Sequence, residues 1–323
     1  MSNVWPAGRP RIGIAHSHYD MKSEILRRIP DADCRQATNL DDFAAFSADI
    51  DVLVISMLWQ DRILEMAPRL KLVQSVSAGT DHYPKDALRE RRIHLCSALG
   101  VNANAVSDHA LALMLAMSRR LPEAFGDQAR SYWRPTSSDP AQRLQELSTK
   151  TVLLVGYGHI GARIARLCRA FGMNVIVMRR NASAGADGGL RLISSDAFIK
   201  TLPEADFVVL ACPLTSETQG LMSAEAFAAM RSDAALINVA RGRVVDEAAM
   251  IAALKDGQIE AAALDTFVEE PLPPNSPLWT LPNVIVTPHA AGETQFYERN
   301  VVDILLANIA AMETGSALTN QAV

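Results

Sequence analysis

The chain of 323 residues is 49% hydrophobic and 21% charged, with a formal net charge of −5 and its charges interspersed. This composition suffices for two domains with real cores and argues against a repetitive or disordered chain, while the lack of a basic face argues against nucleic acid or anionic lipid as partners. The opening MSNVWPAGRPRIGI has no apolar h-region followed by a small-residue cleavage site, and the longest apolar run, Ala110–Met117, is too short to span a bilayer.

A soluble, cytoplasmic protein is therefore expected. The widely spaced Cys34, Cys96, Cys168 and Cys212 include no C-x-x-C pair and no nearby His at ligand spacing. Neither a disulfide framework nor a metal site is expected of them.

Residues 1–10, with Pro6, Gly8 and Pro10, read as a loose lead-in. Arg11–Ala15 reads as a short strand and Met21–Ile29 as a helix that Pro30 stops. The apolar run Asp51–Met57 predicts a buried strand, with a helical segment after it to about Met66, and Leu70–Val76 predicts another strand. The latter ends in the turn-rich Ser77–Asp81. Ligands of open α/β sheets lie outside the carboxyl ends of strands, so this loop either presents N–H groups to a substrate carboxylate or is a plain turn.

Ile93–Ala98 reads as a further strand. Asn102–Leu121, apolar nearly all round, predicts a helix buried between domains or between subunits. Within it, His109 belongs to no acid/base pair visible in the sequence and reads as a packing histidine. Arg134–Asp139 is a polar connector.

The central stretch is Thr151–Arg180, TVLLVGYGHIGARIARLCRAFGMNVIVMRR. An apolar strand leads into G-x-G-x-x-G, a helix with apolar spacing follows as far as Gly172, and Val175–Met178 forms a second strand. This is the pattern of a nucleotide-binding βαβ unit. Gly156 would make the tight turn, Gly158 would let backbone approach a pyrophosphate, and Gly161 would let the helix lie close to the strand, with the helix N-terminus facing the phosphates. A carboxylate at the end of the second strand would bond the ribose hydroxyls of NAD, but Arg179 and Arg180 stand there. Guanidinium groups suit a 2′-phosphate, so NADP(H) is expected in preference to NAD(H), with NAD(H) use still possible.

Residues 181–190 read as a small-residue loop. Strands are expected at Asp206–Ala211, Leu236–Val239, Ala261–Leu264 and Val284–Thr287, with a helix over Asp246–Leu254 capped by Asp246 and a closing helix over Thr294–Met312. Glu269–Pro277 is a proline-stiffened excursion. Arg241 and His289 stand at carboxyl ends of strands, and Glu270 lies on the loop before the last one. Each alone could be a solvated or structural residue. Together they suit the reduction of a 2-oxo acid: His289 would donate a proton, Glu270 at its other ring nitrogen would stabilise the imidazolium, and Arg241 would clamp the carboxylate and polarise the carbonyl.

GYGHIG at 156–161, CPLT at 212–215, NVARG at 238–242, ALDTFVEEPLP at 263–273 and TPHAAG at 287–292, with SVSAGTDH at 75–82, resemble the D-isomer-specific 2-hydroxyacid dehydrogenases in content and order. The resemblance implies that Arg241, Glu270 and His289 are catalytic. It places His159 and Ile160 at the pyrophosphate, Cys212, Pro213, Ala240 and Gly292 along the cofactor, and Asp265 by the nicotinamide amide. Val76, Ala78 and Gly79, together with Arg241 and His289, would contact substrate.

It implies a Rossmann-type doubly wound parallel sheet domain, residues 102–290, inserted into a flavodoxin-like α/β substrate domain formed by 1–101 and 291–323, and a homodimer. The arginine pair favours the glyoxylate/hydroxypyruvate reductase type within the family. A broad-specificity NAD-linked dehydrogenase and, more distantly, a nucleotide-sensing co-repressor are the alternatives.

Overall fold

The computed structural model describes residues 4–5, 8–180 and 190–323. Parts of the lead-in (1–3 and 6–7) and of the small-residue loop (181–189) lie outside the described residues. The chain divides into two compact units, one formed by Met1–Asn102 with Thr294–Val323 and the other by Ala103–Glu293.

In the first unit, strands β1 (Ile12–Ala15), β2 (Cys34–Ala37), β3 (Val52–Ile55), β4 (Leu72–Ser75) and β5 (His94–Cys96) are joined through helices α1 (Met21–Arg28), α2 (Leu40–Ala44), α3 (Ile63–Met66) and α4 (Lys85–Glu90). Every pairing is parallel, in the order β2-β1-β3-β4-β5, the flavodoxin-like arrangement. A parallel strand covered on both faces needs apolar side chains on both, hence VLVI without alternation in β3. Val52 and Val54 join one core with Ile12 and Ile14, while Leu53 and Ile55 join the other with Ala15 and Val73. The edge strand β2 carries the polar Arg35 and Gln36, so its sequence lacks the apolar run that announces the others.

The second unit opens with α5 (Ala103–Ser118) and α6 (Leu121–Ala129). It continues through β6 (Thr151–Val155), α7 (His159–Ala170), β7 (Asn174–Met178), β8 (Arg191–Ile193), α8 (Phe198–Thr201), β9 (Phe207–Leu210), α9 (Ala224–Ala229), β10 (Ala235–Asn238), α10 (Glu247–Lys255), β11 (Ala261–Leu264) and β12 (Val284–Val286). Its seven strands are all parallel, in the order β12-β11-β10-β9-β6-β7-β8, a Rossmann-type sheet extended by one strand. Strand order reverses between β6 and β9, and the glycine turn emerges at that switch point. In β6, Val152 and Leu154 enter the core on one face of the sheet, while Leu153 and Val155 enter the core on the other. Each such buried side chain contributes about 1.5–3 kcal/mol relative to exposure.

The long helix differs from its sequence reading. It ends at Ser118, because Arg120 takes a left-handed conformation (φ 50°) and the chain turns into α6 with proline in its first turn. Within the single chain, Val106, Ala110 and Met114 of α5 pack into the core that α7 also lines, while Asn104, Asp108 and Ala112 are exposed. The side chain of Asp246 caps α10 by accepting from Ala249 N.

The chain then returns to the first unit as α11 (Tyr297–Thr314). Its Val301, Val302, Leu305 and Ile309 share a core with Met21 and Ile25 of α1. Buried Asn308 donates to Gln74 Oε1 of β4 at 3.1 Å and accepts from Thr319 N at 2.7 Å, satisfying two polar groups that would otherwise be stranded in the interior. Gln321 bridges antiparallel to Cys96, covering the outer edge of β5.

All four cysteines are free and buried. Burial pushes the thiols of Cys34 and Cys212 up to about 11 and those of Cys96 and Cys168 up to about 12. Among the described residues, no helix is long and apolar enough to cross a membrane.

Candidate active site

Gly156 follows β6 with φ 101°, and a Cβ there would lie 2.7 Å from Ala211 O. At Gly161 a Cβ would lie 2.1 Å from Gly156 O, so a larger residue would push α7 off the strand. Around Gly158, the N-cap of α7, the corresponding position is open, and no side chain caps the helix. The first-turn N–H groups, including those of His159 and Ile160, thus belong to a helix start suited to phosphate. Buried Cys212 and exposed Pro213 follow β9, whose backbone passes close to Gly156.

Arg179 and Arg180 end the next strand. The Arg179 guanidinium lies over the Tyr157 ring, 5.8 Å from its centroid, and Arg180 stands 3.5 Å from Glu217 in a solvent-exposed pair. Such a surface pair is worth little to stability.

At the end of β10, Asn238 folds the backbone back on itself. Its Oδ1 accepts from Ala240 N at 3.0 Å and its Nδ2 donates to Arg241 O at 3.1 Å. Arg241 is exposed, with Nη1 donating to Ala240 O at 2.7 Å. Gly242 lies so tightly against the chain after β11 that a Cβ there would fall 1.9 Å from the Phe267 carbonyl carbon. This close contact ties the Arg241 turn to the loop that carries Glu270.

Glu270 Oε2 is 2.7 Å from His289 Nδ1, and its Oε1 accepts from Phe267 N at 2.8 Å. Partial burial alone would raise the Glu270 carboxyl. The bonds from His289 and Phe267 N, with the charges of His289 and Arg241, outweigh it and hold the carboxyl below its ordinary value. The carboxylate's contribution to stability is therefore in place above the ordinary carboxylate range and is lost as pH falls through the depressed value. Thermal melts of Glu270→Gln between pH 3 and 6 are expected to show a flatter acid arm than those of the parent; parallel curves would contradict the coupling.

His289 has a left-handed backbone, φ 53°, uncommon outside glycine though tolerated by histidine. Flanking bonds hold it there. Asp265, 1% exposed, accepts from Thr287 Oγ1 at 2.6 Å and Ala290 N at 2.9 Å on Oδ1, and from Ala291 N at 3.0 Å on Oδ2. His109, read from sequence as a packing histidine outside any acid/base pair, belongs to this network. Its Nε2 lies 3.0 Å from Thr287 Oγ1 and 3.7 Å from Asp265 Oδ1. The part His109 plays is not legible in the sequence, because Thr287 lies 178 residues further along the chain.

Val76, Ala78 and Gly79 belong to the other unit, at the carboxyl end of β4. Val76 is buried, and its carbonyl accepts from Tyr297 Oη at 2.9 Å; Ala78 and Gly79 are exposed. The hydroxyls of Ser56 and Ser77 bond each other, and Ser75 Oγ both donates to Ser77 O at 3.0 Å and accepts from Ser77 N at 3.1 Å. The loop backbone is thus pinned on its inner side while its tip faces outward.

Residues 111–291 match the family model described as D-isomer specific 2-hydroxyacid dehydrogenase, NAD binding domain. The chain is 37% identical over 264 residues to glyoxylate/hydroxypyruvate reductase B of Escherichia fergusonii, covering 80% of each chain. It is 35% identical over 272 residues to glyoxylate reductase of Pyrococcus furiosus, covering 83% of this chain and 80% of that one. An NADPH-dependent glyoxylate/hydroxypyruvate reductase from Sinorhizobium meliloti, solved with citrate, superposes with a TM-score of 0.77 at 27% identity, over 95% of this chain and 96% of that one. With two parallel sheets, a glycine turn at the switch point and this breadth of similarity, the chain belongs to the D-isomer-specific 2-hydroxyacid dehydrogenase family and is an oxidoreductase of the nicotinamide-dependent kind.

Proposed function

We propose that the protein reduces a small 2-oxo acid of the glyoxylate/hydroxypyruvate type to the D-2-hydroxy acid, with NADPH preferred over NADH. The observation that carries this reading is the 2.7 Å contact between His289 and Glu270, with the Arg241 charge bearing on the same carboxylate. When bound, the nicotinamide supplies the hydride. Glu270 is an acceptor at low pKa, so Nδ1 of His289 carries the proton they share, and Nε2 of the imidazolium is the atom that gives its proton to the nascent alkoxide. The ring is left as the neutral Nδ1–H tautomer, still held by Glu270. Arg241 holds the substrate carboxylate and offsets the charge growing on the carbonyl oxygen.

Val76, Ala78 and Gly79 bind substrate, and the cofactor lies on the second unit. Gly156, Gly158, His159, Ile160 and Gly161 take the pyrophosphate, with Cys212, Pro213, Ala240, Asp265 and Gly292 along the remainder. The open space at Gly158 supports this placement, since it leaves room for a pyrophosphate to approach the backbone at the start of α7. Arg179 and Arg180 take the 2′-phosphate. Arg179→Ala with Arg180→Ala is expected to narrow the ratio of kcat/KM for NADPH to that for NADH about ten-fold or more, each lost charge-assisted bond being worth about 1.5–3 kcal/mol. An unchanged ratio would remove the arginines from this role.

A homodimer is part of the proposal. Phe125, Tyr132 and Trp133 are large apolar residues on the surface of the second unit, Trp133 being 94% exposed, and apolar surface of this kind is usual at subunit contacts. Light scattering should return twice the chain mass. A cytoplasmic location fits four buried thiols. The decisive test of function is NADPH oxidation at 340 nm against glyoxylate, hydroxypyruvate and pyruvate; turnover of none of them, with NADPH still bound, would refute the reading.

A further inference from the structure

We propose that His109 is a positioning residue for His289, acting through Thr287 and Asp265; the inference rests on the reductase reading above. Thr287 has one hydroxyl proton. With Asp265 Oδ1 at 2.6 Å, that proton goes to the carboxylate, so the same oxygen must accept at 3.0 Å from His109 Nε2–H. This orients three groups in sequence. His109 fixes the rotation of the Thr287 hydroxyl, the hydroxyl and two backbone N–H groups saturate most of the Asp265 carboxylate, and the carboxylate grips the chain on both sides of His289.

His289 is two residues after Thr287 and one before Ala290, with its unusual φ of 53° between those anchors. A small rotation there would swing the imidazole off Glu270. His109 projects from the middle of α5, a helix of 16 residues fixed to the core through Val106, Ala110 and Met114, so the loop is referenced to a rigid element rather than to another loop. Without the Nε2–H donor, the Thr287 proton is free to turn to Leu264 O at 3.5 Å. Asp265, in its buried setting, would then lose one of its donors.

The test compares His109→Ala, His109→Gln, His109→Asn, Thr287→Val and the double variant His109→Ala/Thr287→Val in the full-length enzyme. Readouts are kcat and KM with the best 2-oxo acid of the parent, thermal midpoint, and hydrogen exchange of the segment 287–293. His109→Ala is expected to lower kcat about ten-fold, as misplacement of a reacting group does. The KM for NADPH should stay within about two-fold and exchange at Ala290 and Ala291 should quicken. Glutamine, whose amide nitrogen reaches the place of Nε2, should restore most of the rate; asparagine, one atom shorter, should not. The double variant should be no slower than Thr287→Val alone.

Parent-like kcat and exchange in His109→Ala would overturn the proposal. So would equal losses in kcat, KM and thermal midpoint for every variant including glutamine, which would signal general damage to α5. A parent enzyme inactive on every 2-oxo acid would refute the reductase reading, and the exchange contrast would then decide the relay on its own.

Discussion

His289→Ala is expected to lower kcat about a thousand-fold while leaving the dissociation constant of NADPH within about three-fold of the parent value. The loss is the usual worth of a positioned general acid, about 4 kcal/mol of transition-state stabilisation. It should fall on turnover because the imidazole reaches Glu270 from the loop after β12, whereas the glycine turn and Arg179 are on the segment spanning β6 to β7. Stopped-flow hydride transfer, read beside NADPH fluorescence titration, separates the two effects. Equal losses in both would show that His289 supports the cofactor instead of the proton transfer. Glu270→Gln is the informative companion: it keeps a bond to the ring but removes the charge that favours the imidazolium, so its loss in kcat should be smaller than that of His289→Ala.

Gly242→Ala is expected to destabilise the second unit by about 3 kcal/mol, which at this size lowers the melting temperature by on the order of 10 °C. The added methyl would meet backbone of Phe267 and Val268, and backbone on the ends of two parallel strands cannot rotate out of the way as a side chain would. Any relaxation must separate the Arg241 turn from the Glu270 loop, so activity should fall even at temperatures where the variant is folded. Gly126→Ala is the matched control. Its added carbon meets open space within an exposed helical position, and it should be neutral or slightly stabilising. Calorimetry of the two variants checks the pair, and equal melting temperatures would show that the contact at Gly242 is softer than its geometry implies.

The legible parts of the chain were those whose physics is local. Strands buried on both faces show as unbroken apolar runs, as in β6 and β3, and Asp246 is a recognisable cap because its acceptor lies only three residues from the N–H it serves. The strand ends in turn place Arg241, Glu270 and His289 in one region once the strands are taken as parallel. What stayed hidden depends on distance along the chain. His109 bonds a threonine 178 residues away, so nothing near it in sequence distinguishes a relay from a packing histidine. Edge strands β2 and β8 are short and carry arginines, and they lack the pattern that burial on two faces imposes. The break at Arg120 was masked because Leu121 stands four residues after Met117, where helical spacing expects an apolar residue.

The return of α11 to the first unit sets an order for biogenesis. Residues up to Asn102 leave the ribosome before the inserted unit, yet Met21, Ile25 and Gln74 find their helical partners only after that unit has been made. The inserted unit draws its contacts from one continuous stretch of chain and can close as it emerges. The older segment must wait with an uncovered apolar face, the condition in which nascent chains engage chaperones, and shortening the chain before Val301 would leave it waiting for good.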